Sequence, residues 1–106
     1  MPVEQIMDRE WFILIKTIDS YQMHQVYLRN STTLAEFRKL VAATVHIDVS
    51  EIKLVWIGKY LEIGTEWWSG KIESEDVTMG HLNPGVRDGY PPMHAVVRQF
   101  KKRNKK

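Results

Sequence analysis

A short apolar segment that ends in a glycine turn constrains the fold of this chain more than any other feature. Residues 52–57 have the length and the branched and aromatic side chains of a β-strand. Gly58-Lys59 follows as its turn, and Tyr60-Leu61 leaves room for only a very short second strand. After the turn, the apolar Leu61 is followed directly by the acidic Glu62. The segment therefore predicts a strand and a tight turn near the middle of the chain.

A helix is predicted immediately before this strand. Thr33 and Glu36 have the spacing of a capping box, in which each side chain accepts a hydrogen bond from a free backbone N–H at the helix start. Four apolar residues then recur at three- and four-residue steps and make one helix face: Leu34, Phe37, Val41 and Val45. We expect the helix to end near His46.

Two strands are predicted before the helix and one near the end of the chain. Residues 11–15 are apolar on both faces, as in a central strand. Asp19-Ser20 supplies a hairpin turn, and Val26 and Leu28 alternate with polar residues in the returning strand. Residues 78–82 are expected to form one turn of helix, and residues 93–98 the last strand. This order predicts an α+β fold with one helix on one face of a sheet.

The chain predicts one domain with a polar segment at each end. Its 106 residues match the size of one small domain. Residues 1–10 lack periodicity and are interpreted as a flexible lead-in, residues 11–99 as the domain, and residues 100–106 as a basic tail. The start has no signal-peptide pattern, and no apolar stretch has the length of a membrane span.

Residues 62–77 are interpreted as a loop inserted into this domain. Turn-forming residues surround the adjacent Trp67 and Trp68, and acidic residues follow them. We expect one tryptophan to pack against the core and the other to stay partly exposed. An exposed tryptophan is typical of binding hot spots, so the exposed one is a candidate anchor for a partner.

The basic charge of the chain is concentrated in its tail. Five of its fifteen basic residues lie in the last six positions, which leaves ten basic and thirteen acidic residues elsewhere, a net charge of −3. The rest of the chain is therefore not expected to form a basic surface that binds the phosphate backbone of a nucleic acid. Binding to nucleic acid or an anionic membrane is expected only as a weak contact of the tail, which by default is a solvated end.

Nothing in the sequence indicates catalysis, a metal or a cofactor. There is no cysteine, and the four histidines have no spacing typical of metal ligands: His24, His46, His81 and His94. No nucleophile elbow and no glycine-rich phosphate loop is present. We therefore expect a non-enzymatic, intracellular protein, cytoplasmic or nuclear, that has no small-molecule substrate and is a monomer.

The order and spacing of these segments resemble the ubiquitin family. The similarity runs without gaps over residues 33–62 and includes the helix start, the strand beginning at Leu54 and the Gly58-Lys59 turn. Residues 15–18, Thr78-Met79 and residues 93–96 resemble further pieces of ubiquitin in the same order. The resemblance implies a ubiquitin-like β-grasp fold with a mixed sheet and one main helix.

The resemblance also implies a surface for binding protein partners. The main recognition patch of ubiquitin falls on four positions of this chain: Ile18, Val55, His94 and Val96. Lys53, Lys59 and Arg98 are expected around it as a polar rim, and Phe12 and Leu14 fall where ubiquitin has a smaller apolar patch, unless the inserted loop covers them. The implied function is a non-catalytic adaptor that recruits proteins of the ubiquitin pathway.

Other functions remain open at this point. A ubiquitin-like modifier is disfavoured because conjugation uses a C-terminal Gly-Gly pair, and the last glycine of this sequence is Gly89. A signalling or GTPase-binding β-grasp domain, or binding through the basic tail, is also possible. Residues 77–82 are similar to the membrane-anchored ubiquitin-fold proteins, but the prenylated cysteine of those proteins has no counterpart here.

Overall fold

The computed structural model describes residues 8–18 and 22–97. In chain order, the elements are β1 (Glu10–Thr17), β2 (Met23–Arg29), α1 (Leu34–Val45), β3 (Ile52–Trp56), β4 (Lys59–Tyr60), β5 (Glu66–Trp67), β6 (Gly70–Lys71), α2 (Met79–Leu82) and β7 (Met93–Val97). A 3-10 turn, Val49–Glu51, precedes β3.

One mixed sheet forms the centre of the domain. Its strand order is β2-β1-β7-β3-β4, with β1 and β7 parallel and the other pairs antiparallel. Strand β1 lies between β2 and β7, as its two apolar faces predicted. Because α1 packs against one face of this sheet, the predicted α+β architecture with one main helix is confirmed.

Helix α1 begins and ends as its sequence predicts. The Thr33 hydroxyl accepts a hydrogen bond from the Glu36 N–H at 3.2 Å, and the Glu36 carboxylate accepts one from the Thr33 N–H at 3.0 Å. The helix ends at His46, which adopts a left-handed conformation with a φ of 61°. Leu34, Phe37 and Val41 are fully buried, so the predicted apolar face packs into the core.

The core lies between α1 and the inner face of the sheet. Side chains of β1, β2, β3 and β7 that point to one face share this core with the helix. They are Trp11, Ile13, Ile15, Val26, Leu28, Ile52, Leu54, Trp56, Met93 and Ala95. The alternate residues of these strands are therefore left on the other face.

The turn between β3 and β4 lies one residue earlier than predicted. Ile57 and Gly58 occupy the turn, with φ values of 53° and 80°, and Lys59 begins β4. Two consecutive positive φ values are typical of the tight turn that matches the twist of a hairpin. A β-branched residue rarely adopts a positive φ, so the residue type of Ile57 does not indicate that it lies in the turn.

The polar residues just before β1 belong to the folded domain, contrary to the predicted lead-in of residues 1–10. Strand β1 begins at Glu10, the Asp8 carboxylate accepts a hydrogen bond from the Ser31 N–H at 3.0 Å, and Arg9 lies 3.4 Å from Asp88. The predicted hairpin turn at Asp19-Ser20, the rim residue Arg98 and the basic tail lie outside the described residues.

The inserted segment forms a small hairpin that the sequence did not predict. Strands β5 and β6 pair Glu66 with Lys71 and Trp67 with Gly70. Trp67 and Ile72 are buried in the main core, so the hairpin packs against the domain.

Helix α2 confirms the single helical turn expected at residues 78–82. Within the described residues, no helix is long and apolar enough to cross a membrane.

Candidate protein-interaction surface

A row of side chains crosses all five strands on the outer face of the sheet, the face turned away from α1. Each residue lies directly opposite the next in the strand register, and the row runs Met23, Lys16, His94, Val55 and Tyr60. The residues that flank His94 and Val55 along their strands are buried on the inner face. Side chains alternate along a strand, so the row points outward.

The structure brings the residues of the predicted patch together on this face. Val55 lies opposite His94, and Lys53 lies opposite Val96. Ile18 is one residue beyond the Thr17–Ala95 pair, which is the level of Val96 on β7, and it is 66% exposed. We name Ile18, Lys53, Val55, His94 and Val96 the outer patch. Val55 and Val96 lie diagonally across β3 and β7 and are partly exposed, whereas Ile18 is largely exposed.

The rim of the outer patch is cationic and aromatic. The Lys53 Nζ lies 5.0 Å from the centre of the Tyr60 ring and 3.7 Å from a Glu62 carboxylate oxygen. Lys16 lies beside His94 on the other side of the patch. An apolar centre with a polar rim is the usual arrangement of a recognition surface. The arrangement can hold an apolar segment of a partner and attract acidic groups beside it.

Lys59 does not belong to this surface, contrary to the sequence-based prediction. It pairs with Trp56, whose side chain is buried on the inner face, and its Nζ lies 5.1 Å from the centre of the Trp68 ring. A shift of one residue in a strand moves a side chain to the opposite face. The one-residue displacement of the turn therefore removes Lys59 from the rim.

The two adjacent tryptophans of the insert have different environments, as expected. Trp67 is buried, and its Nε1 donates a hydrogen bond to the Leu82 carbonyl at 2.6 Å. Trp68 is 52% exposed and packs edge-on against Trp67, with 4.8 Å between ring centroids. Trp67 is therefore a core residue rather than a partner contact, and its place in the predicted site is wrong. Trp68 remains a candidate anchor.

Three residues of the row were missed by sequence reasoning: Lys16, Met23 and Tyr60. Tyr60 could have been found, because a two-residue turn at 57–58 places it opposite Val55. Lys16 and Met23 had no comparable signal, since their alignment with His94 depends on how β1 pairs with β2 and β7.

A loop covers the second predicted apolar patch, at Phe12 and Leu14. The Gly89 N–H donates to the Phe12 carbonyl at 3.0 Å, and a Cβ atom at Gly89 would lie 2.8 Å from the Phe12 ring. Gly89 also has a φ of 76°, so a glycine fits here in both space and conformation. The covering loop is that of residues 87–90, not the insert that the sequence suggested.

No group of three or more potential metal ligands is found within residues 8–18 and 22–97. The Asp8 carboxyl has a lowered pKa. A hydrogen bond with the Ser31 side chain lowers this pKa most, and the Ser31 N–H and the nearby Arg29 lower it further, while partial desolvation opposes them. Asp8 lies at the start of β1 and takes no part in the outer patch.

Solved structures with the same architecture are similar to this chain. The N-terminal ubiquitin-like domain in the 4931431F19Rik protein has a TM-score of 0.58 and 22% sequence identity, and the match covers 86% of this chain and 77% of that one. A ubiquitin-like domain from tubulin-binding cofactor B has a TM-score of 0.55 and 20% identity, over 86% of this chain and 92% of that one. This chain has the ubiquitin-like β-grasp fold.

A third structure with this fold is a larger chain. It belongs to the crystal structure of a pParkin-pUb-UbcH7 complex, with a TM-score of 0.59 and 21% identity, and the match covers 84% of this chain and 23% of that one. No protein-family model and no curated protein matches the present sequence. The likeness therefore establishes the ubiquitin-like fold, while the suggested similarity to the membrane-anchored ubiquitin-fold proteins stays a prediction.

Proposed function

We propose that this chain is a non-catalytic protein-interaction module that recruits partners through the outer patch of its ubiquitin-like fold. The observation that carries the proposal is the register between β3 and β7. It places Val55 opposite His94 and Lys53 opposite Val96, on the face that the helix leaves uncovered. A contiguous exposed apolar patch with a polar rim is typical of a protein-interaction site.

The proposed partners are proteins of the ubiquitin pathway. Ubiquitin-like domains are the structures that this chain resembles, and one similar chain comes from a complex that contains pParkin and pUb. The residue types at the outer patch fit the recognition patch implied by the resemblance to ubiquitin. Together these observations favour an adaptor role over that of an enzyme.

The chemistry of the surface narrows the kind of segment that a partner presents. Val55 and Val96 offer a small apolar centre, with Lys16 on one side and the Lys53–Glu62 ion pair on the other. A complementary segment carries small or branched apolar residues and a carboxylate that faces Lys16. Patches of this size bind weakly, so we expect dissociation constants of about 1 μM or weaker, near −8 kcal/mol.

Substitution of Val55 by aspartate tests the proposal. The side chain is partly exposed and outside the core, so a carboxylate at this position should disrupt binding and leave the fold intact. Leu40→Asp is a matched control, because Leu40 is 42% exposed on α1, which packs on the other face of the sheet. Ubiquitin-pathway proteins captured by the wild-type chain are purified and titrated against both variants by calorimetry.

The expected result is a loss of affinity of at least tenfold for Val55→Asp and less than twofold for Leu40→Asp, roughly 1.4 kcal/mol or more against a few tenths. Circular dichroism checks that both variants are folded. If a folded Val55→Asp variant binds every captured partner normally, recognition lies outside the outer patch. Trp68→Ala then tests the tryptophan of the insert as the alternative contact.

A further inference from the structure

Among the strands of residues 8–18 and 22–97, β2 is an edge strand of the main sheet, and the direction of its outward backbone groups can be identified. The Asn30 N–H donates to the Arg9 carbonyl at 3.3 Å, and Arg29 lies opposite Glu10. In an antiparallel ladder, hydrogen-bonded and non-hydrogen-bonded pairs alternate. The Phe12–Tyr27 and Leu14–Gln25 pairs are therefore of the non-hydrogen-bonded kind. It follows that the backbone N–H and C=O groups of Tyr27 and Gln25 point away from β1.

Two other contacts support this phase of the ladder. The Phe12 carbonyl points away from β2, because it accepts a hydrogen bond from the Gly89 N–H on its other side. The backbone groups of Arg29 point away from β1 and are paired with Thr32: the Arg29 N–H donates to the Thr32 hydroxyl at 2.9 Å, and the Arg29 carbonyl accepts from the Thr32 N–H at 3.0 Å.

In the described part of the chain, the edge of β2 before Arg29 lacks several features that protect an edge strand against pairing. No residue within 8–18 and 22–97 pairs with the outward backbone groups of Gln25 or Tyr27. The seven residues of β2 contain no proline and no lysine, and their register with β1 is unbroken by a bulge. Prolines, lysines and bulges are the features that prevent an edge strand from pairing with another chain.

We propose that a second copy of this chain pairs with β2 in the antiparallel direction, with Val26 on the two-fold axis. This register places Gln25 opposite Tyr27 of the second copy, and Tyr27 opposite Gln25 of the second copy. Both pairs join residues with outward backbone groups, so each can exchange an N–H···O bond in both directions. The product is one continuous sheet through both copies.

The side chains of β2 favour a second copy over an unrelated strand, because the pairing is self-complementary. The strand carries a single charged residue, Arg29, which lies opposite Met23 of the second copy, so no like charges face one another. On the outer face, the Tyr27 hydroxyl already lies 3.5 Å from a Gln25 side-chain oxygen within one copy. The same two side chain types meet across the proposed axis.

The proposed dimer is weak, and β2 carries no residue of the outer patch. One pair of edge strands buries less surface than stable interfaces do, so association depends on protein concentration. Two strands, β1 and β7, separate β2 from the outer patch residues of β3. The sequence analysis predicted a monomer, and the direction of the backbone groups of an edge strand is not visible in the residue pattern.

Hydrogen exchange at two protein concentrations tests the pairing directly. In dilute solution, the Gln25 and Tyr27 amides should exchange at least tenfold faster than the Val26 and Leu28 amides, which bond to β1. At high concentration, protection of the Gln25 and Tyr27 amides should rise several-fold while that of the other two stays unchanged. Sedimentation equilibrium should show a mass that rises with concentration from 12.5 kDa towards twice that value.

Gln25→Pro and Gln25→Ala form a matched pair of variants. Proline removes the outward N–H without removing a bond to β1, whereas alanine keeps the N–H. Association should disappear in the proline variant and persist in the alanine variant. The proposal is overturned if the Gln25 and Tyr27 amides of the wild type show no dependence on concentration. It is also overturned if association survives proline or is lost equally with alanine.

Discussion

Trp67 stacks on Trp56, with 6.2 Å between their ring centroids and 29° between their planes. Trp56 in turn stacks on Trp11 at 6.3 Å, and Trp68 packs edge-on against Trp67. All four tryptophans of the chain therefore form one series of contacts, which runs from the start of β1 through β3 to the surface of the insert. This series makes the inserted hairpin a continuation of the core.

Replacement of Trp67 by alanine should strongly destabilise the domain. The side chain is buried and its indole N–H bonds to the Leu82 carbonyl, so its removal leaves a cavity and an unpaired carbonyl group. We expect a loss of about 3–5 kcal/mol in the free energy of unfolding, measured by urea denaturation. Trp68→Ala is the control, with a loss below about 1 kcal/mol. Equal losses would show that the two tryptophans are not placed as described.

Phe37→Ala should test the packing of α1 on the sheet. The ring is fully buried within the main core, and an emptied aromatic site costs about 3–5 kcal/mol of stability. Leu40→Ala, at an exposed position of the same helix, should change the stability by about 0.5 kcal/mol or less. The measurement is chemical denaturation followed by circular dichroism. A loss below about 1 kcal/mol for Phe37→Ala would contradict the helix assignment.

Thr33→Ala should remove the capping box at the start of α1. Its hydroxyl accepts from the Glu36 N–H, and this N–H has no other partner within the helix. The expected loss is about 0.5–2 kcal/mol. Thr44→Ala serves as a control, because the Thr44 hydroxyl only donates to the Leu40 carbonyl, which the helix itself can satisfy. Comparable thermal destabilisation by both variants would argue against a capping role.

The Asp8 carboxyl should contribute a pH-dependent part of the stability. Hydrogen bonds with Ser31, supported by Arg29, lower its pKa from 3.8 in the folded state. The ionised form is therefore favoured by folding, and its contribution is present above pH 3.8 and disappears as the pH falls through the lowered value. Asp8→Asn should unfold at a lower temperature than the wild type at pH 7. The two melting temperatures should converge in strong acid, and a gap that persists there would exclude the carboxylate as its cause.

The elements with strong local signals could be predicted from the sequence. The capping residues and the spacing of Leu34, Phe37 and Val41 predicted α1, and the two-faced apolar run predicted that β1 lies in the interior of the sheet. The hairpin of β5 and β6 could not be predicted, because its strands have two residues each and show no periodicity. The turn at Ile57 was misplaced because packing imposes a backbone conformation that isoleucine alone disfavours.

The candidate site was predictable only in part. Alternation along β3 and β7 suggested that Val55 and Val96 share a face, and the register confirms that they do. Lys16 lies beside His94 and Tyr60 beside Val55 because of the register between strands. This register depends on contacts between distant parts of the chain, which the sequence pattern does not show. The exclusion of Lys59 likewise depends on the position of one turn.

The parallel pairing of β1 with β7 determines when the sheet can be completed. Ile15 lies beside Met93, so the second neighbour of the interior strand β1 is also the last strand described. During synthesis, β1 and β2 are made before β7. Until β7 folds beside β1, one edge of β1 and the apolar residues that the 87–90 loop covers have no native partner. Closure of this long chain segment is a slow kind of folding step, so the incomplete domain presents one unpaired edge of β1 until β7 is added.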